Sequence, residues 1–371
     1  MSIWKTDELG KFVTLKRGYD LPQQKRVDGA VPIFSSSGVT GTHKESMVNA
    51  PGVITGRYGT IGEVFFSKEP FWPLNTTLYV ENFHGNDERF IYYFLKSLKW
   101  EKFTSASAVP GINRNTVHKE IVEIPDLESQ RKIAAVLSAF DDKIDINQRI
   151  NDNLEQQAQA FFQELFVDNA DPKWAIGAIS NLGAVVGGST PSKAKPEYYT
   201  ETGIAWITPK DLSVNKSKFI SHGENDITEL GLKNSSATIM PEGTVLFSSR
   251  APIGYIAVAA GEVTTNQGFK SIVPKPEIGT AFVYFFLKHN LPIIEGMASG
   301  STFKEVSGSA MKGVPAVIPD TDTIARFNDF CSPIFAQQRI LEEQNQSLAA
   351  LRDNLLPKLM SGEIDVSDIQ L

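Results

Sequence analysis

An arginine beside a glycine turn suits nucleic acid. Its planar fork matches a guanine edge or a phosphate, and glycine lets the backbone approach a ligand closely. The chain has two such places, Arg57-Tyr58-Gly59-Thr60-Ile61-Gly62 and Arg250-Ala251-Pro252-Ile253-Gly254. Further runs carry side chains able to hydrogen-bond base edges. They are Ser35-Ser36-Ser37-Gly38, Ser105-Ala106-Ser107 with Asn113-Arg114, Gly187-Gly188-Ser189-Thr190-Pro191-Ser192-Lys193, Thr264-Thr265-Asn266-Gln267, and Ser299-Gly300-Ser301-Thr302 with Lys304. The candidate DNA contacts are therefore Ser35, Ser36, Arg57, Tyr58, Thr60, Asn75, Ser105, Asn113, Arg114, Ser189, Thr190, Lys193, Arg250, Asn266, Gln267, Ser301 and Lys304. Loops of this composition are also ordinary strand connections, and each residue carries that second reading.

Catalytic patterns are missing where they would be sought. An adenine methyltransferase uses Asn/Asp-Pro-Pro-aromatic to hold the target amine; the nearest stretch is Asp171-Pro172-Lys173-Trp174, which lacks the second proline and reads as a linker. The glycine run at 187–193 lacks the Gly-Lys-Ser/Thr ending of a phosphate loop. Pro125-Asp126 and Pro319-Asp320 are followed by no acidic-x-Lys partner and fit helix caps. His43, His84, His118, His222 and His289 show no i, i+4 metal pairing. Cys331 stands alone, which excludes a disulfide framework. No catalytic residue, metal or cofactor is expected in this chain.

Something must position these loops. The 371 residues, 41% hydrophobic and 21% charged, suit two or three globular domains. No apolar run reaches the roughly 18 residues of a membrane span, and residues 1–7 lack the apolar stretch of a secretory signal. A cytoplasmic protein with no membrane partner is expected.

The sequence repeats itself. Phe90-Ile91-Tyr92-Tyr93-Phe94-Leu95-Lys96 matches Phe282-Val283-Tyr284-Phe285-Phe286-Leu287-Lys288 at an offset of 192. Ile124-Pro125-Asp126 matches Ile318-Pro319-Asp320 at 194, and the same offset pairs Asn151 with Asn345, Leu154 with Leu348 and Leu165 with Leu359. The two arginine turns match with a one-residue gap, and Asn75 falls near Asn266. The spacing predicts two copies of a globular unit followed by a long helix: 1–124, 125–171, 172–318 and 319–371. Gly52–Thr55 and Thr244–Phe247 read as strands, and 87–99 and 280–290 as helices. The class is α+β.

Apolar residues in the two long helices follow a 4-3 spacing. The first seam is Ile133, Leu137, Phe140, Ile144, Asn147, Asn151, Leu154, Ala158, Phe161 and Leu165. The second is Phe327, Cys331, Ile334, Gln338, Leu341, Asn345, Leu348, Arg352, Leu355 and Leu359. Pro333 and Pro357 are expected to kink, bend or end the second helix. The first helix leaves unit one and the second leaves unit two, so pairing makes them an antiparallel coiled coil. Two heads related by a pseudo-two-fold axis follow. Phe161, Phe162 and Phe166 exceed one seam and either cover a partner surface or close onto the second head.

Net charge is −7, which argues against a polyanion partner until it is divided. Residues 1–125 and 172–318 carry +2 each; 126–171 carry −6 and 319–371 carry −5. The acidity belongs to the helices, and the heads are mildly basic. Two such heads match a duplex offering two half-sites.

The segment Asn345–Ile364 resembles the C-terminal region of specificity subunits of type I restriction–modification enzymes, and Ile124–Ala134 is similar to their central conserved region. Leu9-Gly10-Lys11-Phe12, Leu182-Gly183-Ala184 and the Arg57–Gly62 turn resemble the starts and cores of their target recognition domains. The likeness covers the whole chain, duplication included, but is weakest in the loops. It implies two DNA target recognition domains, each reading half of a bipartite site in double-stranded DNA. It also implies helices that set the unread spacer and dock two modification subunits, which methylate adenine N6 with S-adenosylmethionine. A restriction subunit using ATP and Mg would join them. The seam residues Ile133, Leu137, Phe140, Ile144, Asn151, Leu154, Phe161, Leu165, Phe327, Ile334, Leu341, Asn345, Leu348, Leu355 and Leu359 would serve helix pairing and docking. The alternatives are an autonomous DNA methyltransferase or nuclease, and a helical scaffold without DNA contact.

Overall fold

A computed structural model of the chain describes residues 4–104, 110–300 and 304–369. The chain divides into two compact units. One comprises Met1–Asp145 with Gln346–Leu371, the other Ile146–Asn345.

In the first unit a four-stranded antiparallel sheet has the order 14–17, 77–82, 52–56, 64–67. Gly52–Gly56 is buried throughout, as a central strand should be. A hairpin of Val31–Ser35 and Gly38–His43 extends the domain through a parallel pairing with Trp72–Pro73. Trp4–Glu8 pairs antiparallel with Ile121–Pro125, tying the start of the domain to its end. Helix α1, Glu88–Ser97, is capped by the Asp87 carboxylate, which accepts from the Phe90 amide at 2.8 Å.

The second unit repeats the plan with additions. Its main sheet runs 183–187, 270–274, 245–249, 253–259, 219–220, and Val245–Ser249 is again fully buried. A smaller sheet has the order 199–200, 225–227, 204–207, 264–265. Ala175–Ala178 pairs with Pro315–Ile318 as 4–8 pairs with 121–125.

Two long helices follow the repeated domains, α2 (Leu127–Gln163) and α4 (Thr321–Met360); α3 (Thr280–His289) is the counterpart of α1. Asp126 and Asp320 cap the long helices, accepting from Ser129 at 3.0 Å and Thr323 at 2.8 Å. Every seam position from Ile133 to Leu165 and from Phe327 to Leu359 is buried or half-buried. In the first unit Ile133, Ala134 and Leu137 share a core with Leu356, Leu359 and Met360, and Arg352 bonds Asp141. In the second, the buried Asn147 donates to Asn345 at 2.9 Å, and Gln338 donates to the Asn151 carbonyl at 3.1 Å. Numbers rise along α2 as they fall along α4, so the helices run antiparallel in each unit. The proline expectation is corrected in one respect: neither Pro333 nor Pro357 ends α4, which continues to Met360. Both prolines are exposed, on the side of the helix where a carbonyl without its helical bond is open to solvent. The last residue of the first seam, Leu165, lies just past α2 in a wider π-helical turn, Glu164–Asp168.

Phe161, Phe162 and Phe166 all join the core of the second unit. Phe162 stacks obliquely on Phe282 and Phe285, and Phe166 meets Phe282 edge-on at 4.8 Å. Phe161 also touches Phe330, which is 40% exposed.

Candidate nucleic-acid interface

Arg57 directly follows the central buried strand of the first domain. Its amide donates to Thr76 O at 2.8 Å and its carbonyl accepts from Ile112 N at 3.0 Å, so two distant segments fix it. The guanidinium lies over the Tyr58 ring, 4.4 Å from its centroid, and donates to the phenol oxygen at 3.2 Å. Tyr58 in turn lies flat against Gly111, where a Cβ would come within 2.2 Å of the ring. These contacts preorganise the arginine at the mouth of a cleft of about 610 Å³.

That cleft is lined by Lys16, Arg17, Arg57, Tyr58, Asn113, Arg114 and Asn115, among others. Among the described residues four cations line it and no carboxylate does. Glu81 and Asp20 stand behind, pairing Lys16 at 2.5 Å and Arg17 at 3.4 Å. Asn113 caps the short helix Arg114–His118 by accepting from Asn115 N at 3.0 Å, which projects Arg114 to solvent. Beneath it, His118 Nε2 accepts from Leu15 N at 2.8 Å, so the proton sits on Nδ1. Burial, with Arg114 adding to it, pulls this imidazole below the ordinary histidine value.

Arg250 occupies the matching turn of the second domain. Backbone bonding places Ser249 as the counterpart of Arg57: its amide donates to Gly268 O at 2.7 Å and its carbonyl accepts from Val306 N at 3.0 Å. The second arginine is thus one residue further along. Its guanidinium faces Glu305 at 3.5 Å, and Lys270 shares that carboxylate at 3.3 Å. The cleft beside it, about 480 Å³, is lined by Thr190, Lys193, Trp206, Thr208, Lys210, Asp211, Glu224, Asn225, Asn266 and Gln267 as well as Arg250. The Trp206 indole donates to Ser189 O at 3.0 Å and meets Tyr199 edge-on, which fixes one wall.

The expected contacts thus separate. Arg57, Tyr58, Asn113 and Arg114 share the first cleft; Thr190, Lys193, Arg250, Asn266 and Gln267 share the second. Lys304 lines an adjoining hollow with Arg250. Ser35 is spent on its own hairpin turn, bonding Ser37 and Gly38 O. Ser36 packs beside the Gly56–Gly59 turn, and Thr60 is exposed on it. Asn75 is held by Asp20 and does not line the first cleft, and Ser189 contributes its carbonyl to Trp206. Ser105 and Ser301 lie outside the described residues. Sequence reading missed Lys16, Arg17, Lys210, Glu224 and Asn225, because strand pairing gathers them from distant segments and no local motif marks them.

Among the described residues no group of three or more His, Cys, Asp or Glu is arranged to hold a metal, and no helix is long and apolar enough to cross a membrane. Burial pushes the Cys331 thiol up to about 12, which leaves it unreactive.

Comparison with known proteins gives a consistent pattern. A family model described as type I restriction modification DNA specificity domain matches residues 1–156 and again 172–351. The type I restriction enzyme MjaIX specificity subunit of Methanocaldococcus jannaschii is 38% identical over 191 residues, covering 49% of this chain and 44% of that subunit. The HindI specificity subunit of Haemophilus influenzae is 25% identical over 331 residues, covering 69% of this chain and 71% of its own. The match thus spans under half the length of the first relative. A crystal structure of a type I restriction-modification system S subunit from M. genitalium superposes with a TM-score of 0.60 at 18% identity, covering 96% of both chains, which shows a shared fold.

Proposed function

Because the chain belongs to the family of type I restriction modification DNA specificity domains, matched twice along its length, we propose that it is the non-catalytic, sequence-reading subunit of a type I restriction–modification assembly. Residues 1–124 and 172–318 are two target recognition domains, each reading one half of a bipartite site in double-stranded DNA. Residues 125–171 and 319–371 set the spacer and dock two modification subunits, which carry S-adenosylmethionine to adenine N6. Restriction subunits, with ATP and Mg, complete the larger complex. The chain then works in the cytoplasm, where the DNA is.

The observation that carries this reading is the recurrence of one device. In both repeated domains a guanidinium stands at the turn ending the central buried strand, beside a cleft rich in cations and amides. Arginine forks match guanine O6/N7 or brace phosphate, and amides match adenine. Such a cleft can bind and orient a duplex.

The test uses the chain purified with its modification subunit. Incubated with S-adenosylmethionine and genomic DNA, the complex is expected to place N6-methyladenine only within one two-part sequence. Methylation that ignores sequence, or that persists unchanged without this chain, would refute the reading. Turnover of DNA by the chain alone would favour an autonomous enzyme instead.

A further inference from the structure

The two clefts differ in one chemical respect. Among the described residues the ionised groups lining the first are all cations, whereas the second contains carboxylates, Asp211 and Glu224. A carboxylate beside DNA is repelled by phosphates and by the keto oxygens of guanine and thymine, so an oxygen of it left open toward the bases favours a hydrogen-bond donor. Only cytosine N4 and adenine N6 supply one in the major groove.

Asp211 is already committed. One of its oxygens accepts from Thr208 N at 2.7 Å and Thr208 Oγ1 at 2.6 Å, and the other from Glu224 N at 2.8 Å. It is a positioning residue whose role is to fix the backbone of Glu224. Gly223 tightens the arrangement, since a Cβ there would come within 2.7 Å of Trp206 O and 2.8 Å of Asp211 Oδ2. Asn225 follows directly and is paired across the sheet with Trp206. Glu224 thus stands on a fixed backbone with an exposed side chain. Lys210 Nζ takes Oε2 at 2.5 Å, leaving Oε1 to accept.

We propose that Glu224 is a specificity determinant: through Oε1 it accepts a hydrogen bond from an exocyclic amino group, cytosine N4 or adenine N6, at one position of the half-site read by the second domain. This rests on the reading of the chain as a specificity subunit. Lys210 neutralises the carboxylate's second oxygen and keeps it tolerable beside the backbone phosphates. The position discriminates amino bases from keto bases on the strand that Glu224 faces.

The full chain in complex with its modification subunit would be given a plasmid library with randomised sites, and methylated sites sequenced. The wild type should show A or C, against G or T, at one position of one half-site. Glu224→Ala should relax that discrimination about 5- to 150-fold, leaving the other half-site and the melting temperature unchanged. Glu224→Gln, which keeps an acceptor oxygen, should retain more of it. If Glu224 merely neutralises Lys210, the double variant Lys210→Met with Glu224→Ala would regain the wild-type motif; we expect it to stay relaxed. An unaltered motif in Glu224→Ala, or its recovery in the double variant, overturns the proposal. Sequence-independent methylation by the wild type would instead overturn the specificity-subunit reading and this one with it.

Discussion

The Arg57 backbone is held by two distant segments and its guanidinium lies on Tyr58 at the cleft mouth, so removing that group leaves the backbone bonds in place. Arg57→Ala and Arg250→Ala are each expected to weaken DNA binding by about 1–3 kcal/mol if the fork reads a guanine. The loss would then be confined to one position of the site, as titration against single-base variants would reveal. A phosphate contact gives a different signature, a loss of affinity on every sequence with a shallower salt dependence. Affinity unchanged in both variants would remove the clefts from consideration. His118 sets a pH limit on the same region. Its folded value is depressed by burial and then by Arg114, so the unfolded chain takes up the proton first. The stability it supports is present above the ordinary histidine value of about 6.5 and is lost as pH falls through the depressed one. Melting temperature should therefore drop between neutral and mildly acidic pH. His118→Gln, which still offers Leu15 N an acceptor, should flatten that part of the curve; an unchanged profile would locate the acid sensitivity elsewhere.

At the level of elements, the second unit is braced by a buried ionic knot. Glu155 on α2 pairs with Lys218, only 6% exposed, and with Lys288 on α3 at 2.5 Å. Burial opposes its charge, but the two ammonium groups together hold its carboxyl below the usual range. Gln338 and Glu342 of α4 complete the knot, Glu342 accepting from Lys218 N at 2.8 Å and Phe219 N at 3.0 Å. Glu155→Ala leaves the Lys218 charge buried among Phe335 and Tyr284 with only the neutral Gln338 amide oxygen to meet it, and should cost about 3–5 kcal/mol by denaturant unfolding. Glu155→Met with Lys218→Met should recover most of that; equal losses in the single and double variants would show that the charges matter little. The seam allows a different experiment. Adding one heptad within residues 140–160 of α2 keeps the apolar face in phase and lengthens the helix by roughly 10 Å. The preferred spacer in methylated sites should change while both half-sites stay the same, and an unaltered spacer would reject the ruler role. These helices were legible in the sequence because their 3.5-residue period is local, so Ile133 and Asn147 could be placed on one face of α2, and Phe327 on the corresponding face of α4, from spacing alone. The clefts were only half legible. Arg57 and Arg250 sit on recognisable turns, but Lys16 and Arg17 reach the first cleft through the pairing of 14–17 with 77–82, and Glu224 reaches the second through its neighbour Asn225, paired with Trp206. Such long-range registers leave no local pattern. The one-residue slip between the arginines had the same origin, since only backbone bonding identifies Ser249 as the counterpart of Arg57.

For the molecule as a whole, the question is how a chain of net charge −7 can hold a polyanion. The average misleads because charge acts locally. At physiological salt the screening length is about 8 Å, so carboxylates on the helices reach little beyond their own surroundings, whereas cations in the clefts meet phosphates directly. Binding should therefore follow the clefts and ignore the net charge. Every phosphate deprived of its protein cation lowers the slope of log affinity against log salt by about 0.9. Arg114 and Lys193 are exposed, and each lines one cleft. Arg114→Ala and Lys193→Ala are expected to flatten the slope by about 0.9 each, and the double variant by about 1.8, since the two sites lie in separate domains and share no partner. Asp152→Asn with Glu164→Gln removes two exposed charges from α2 and the turn after it. It makes the chain less acidic by as much as the cation pair makes it more so, yet should leave the slope where it was. If the α2 pair steepened the slope as much as the cleft pair flattened it, net charge rather than the two clefts would be governing the encounter with DNA.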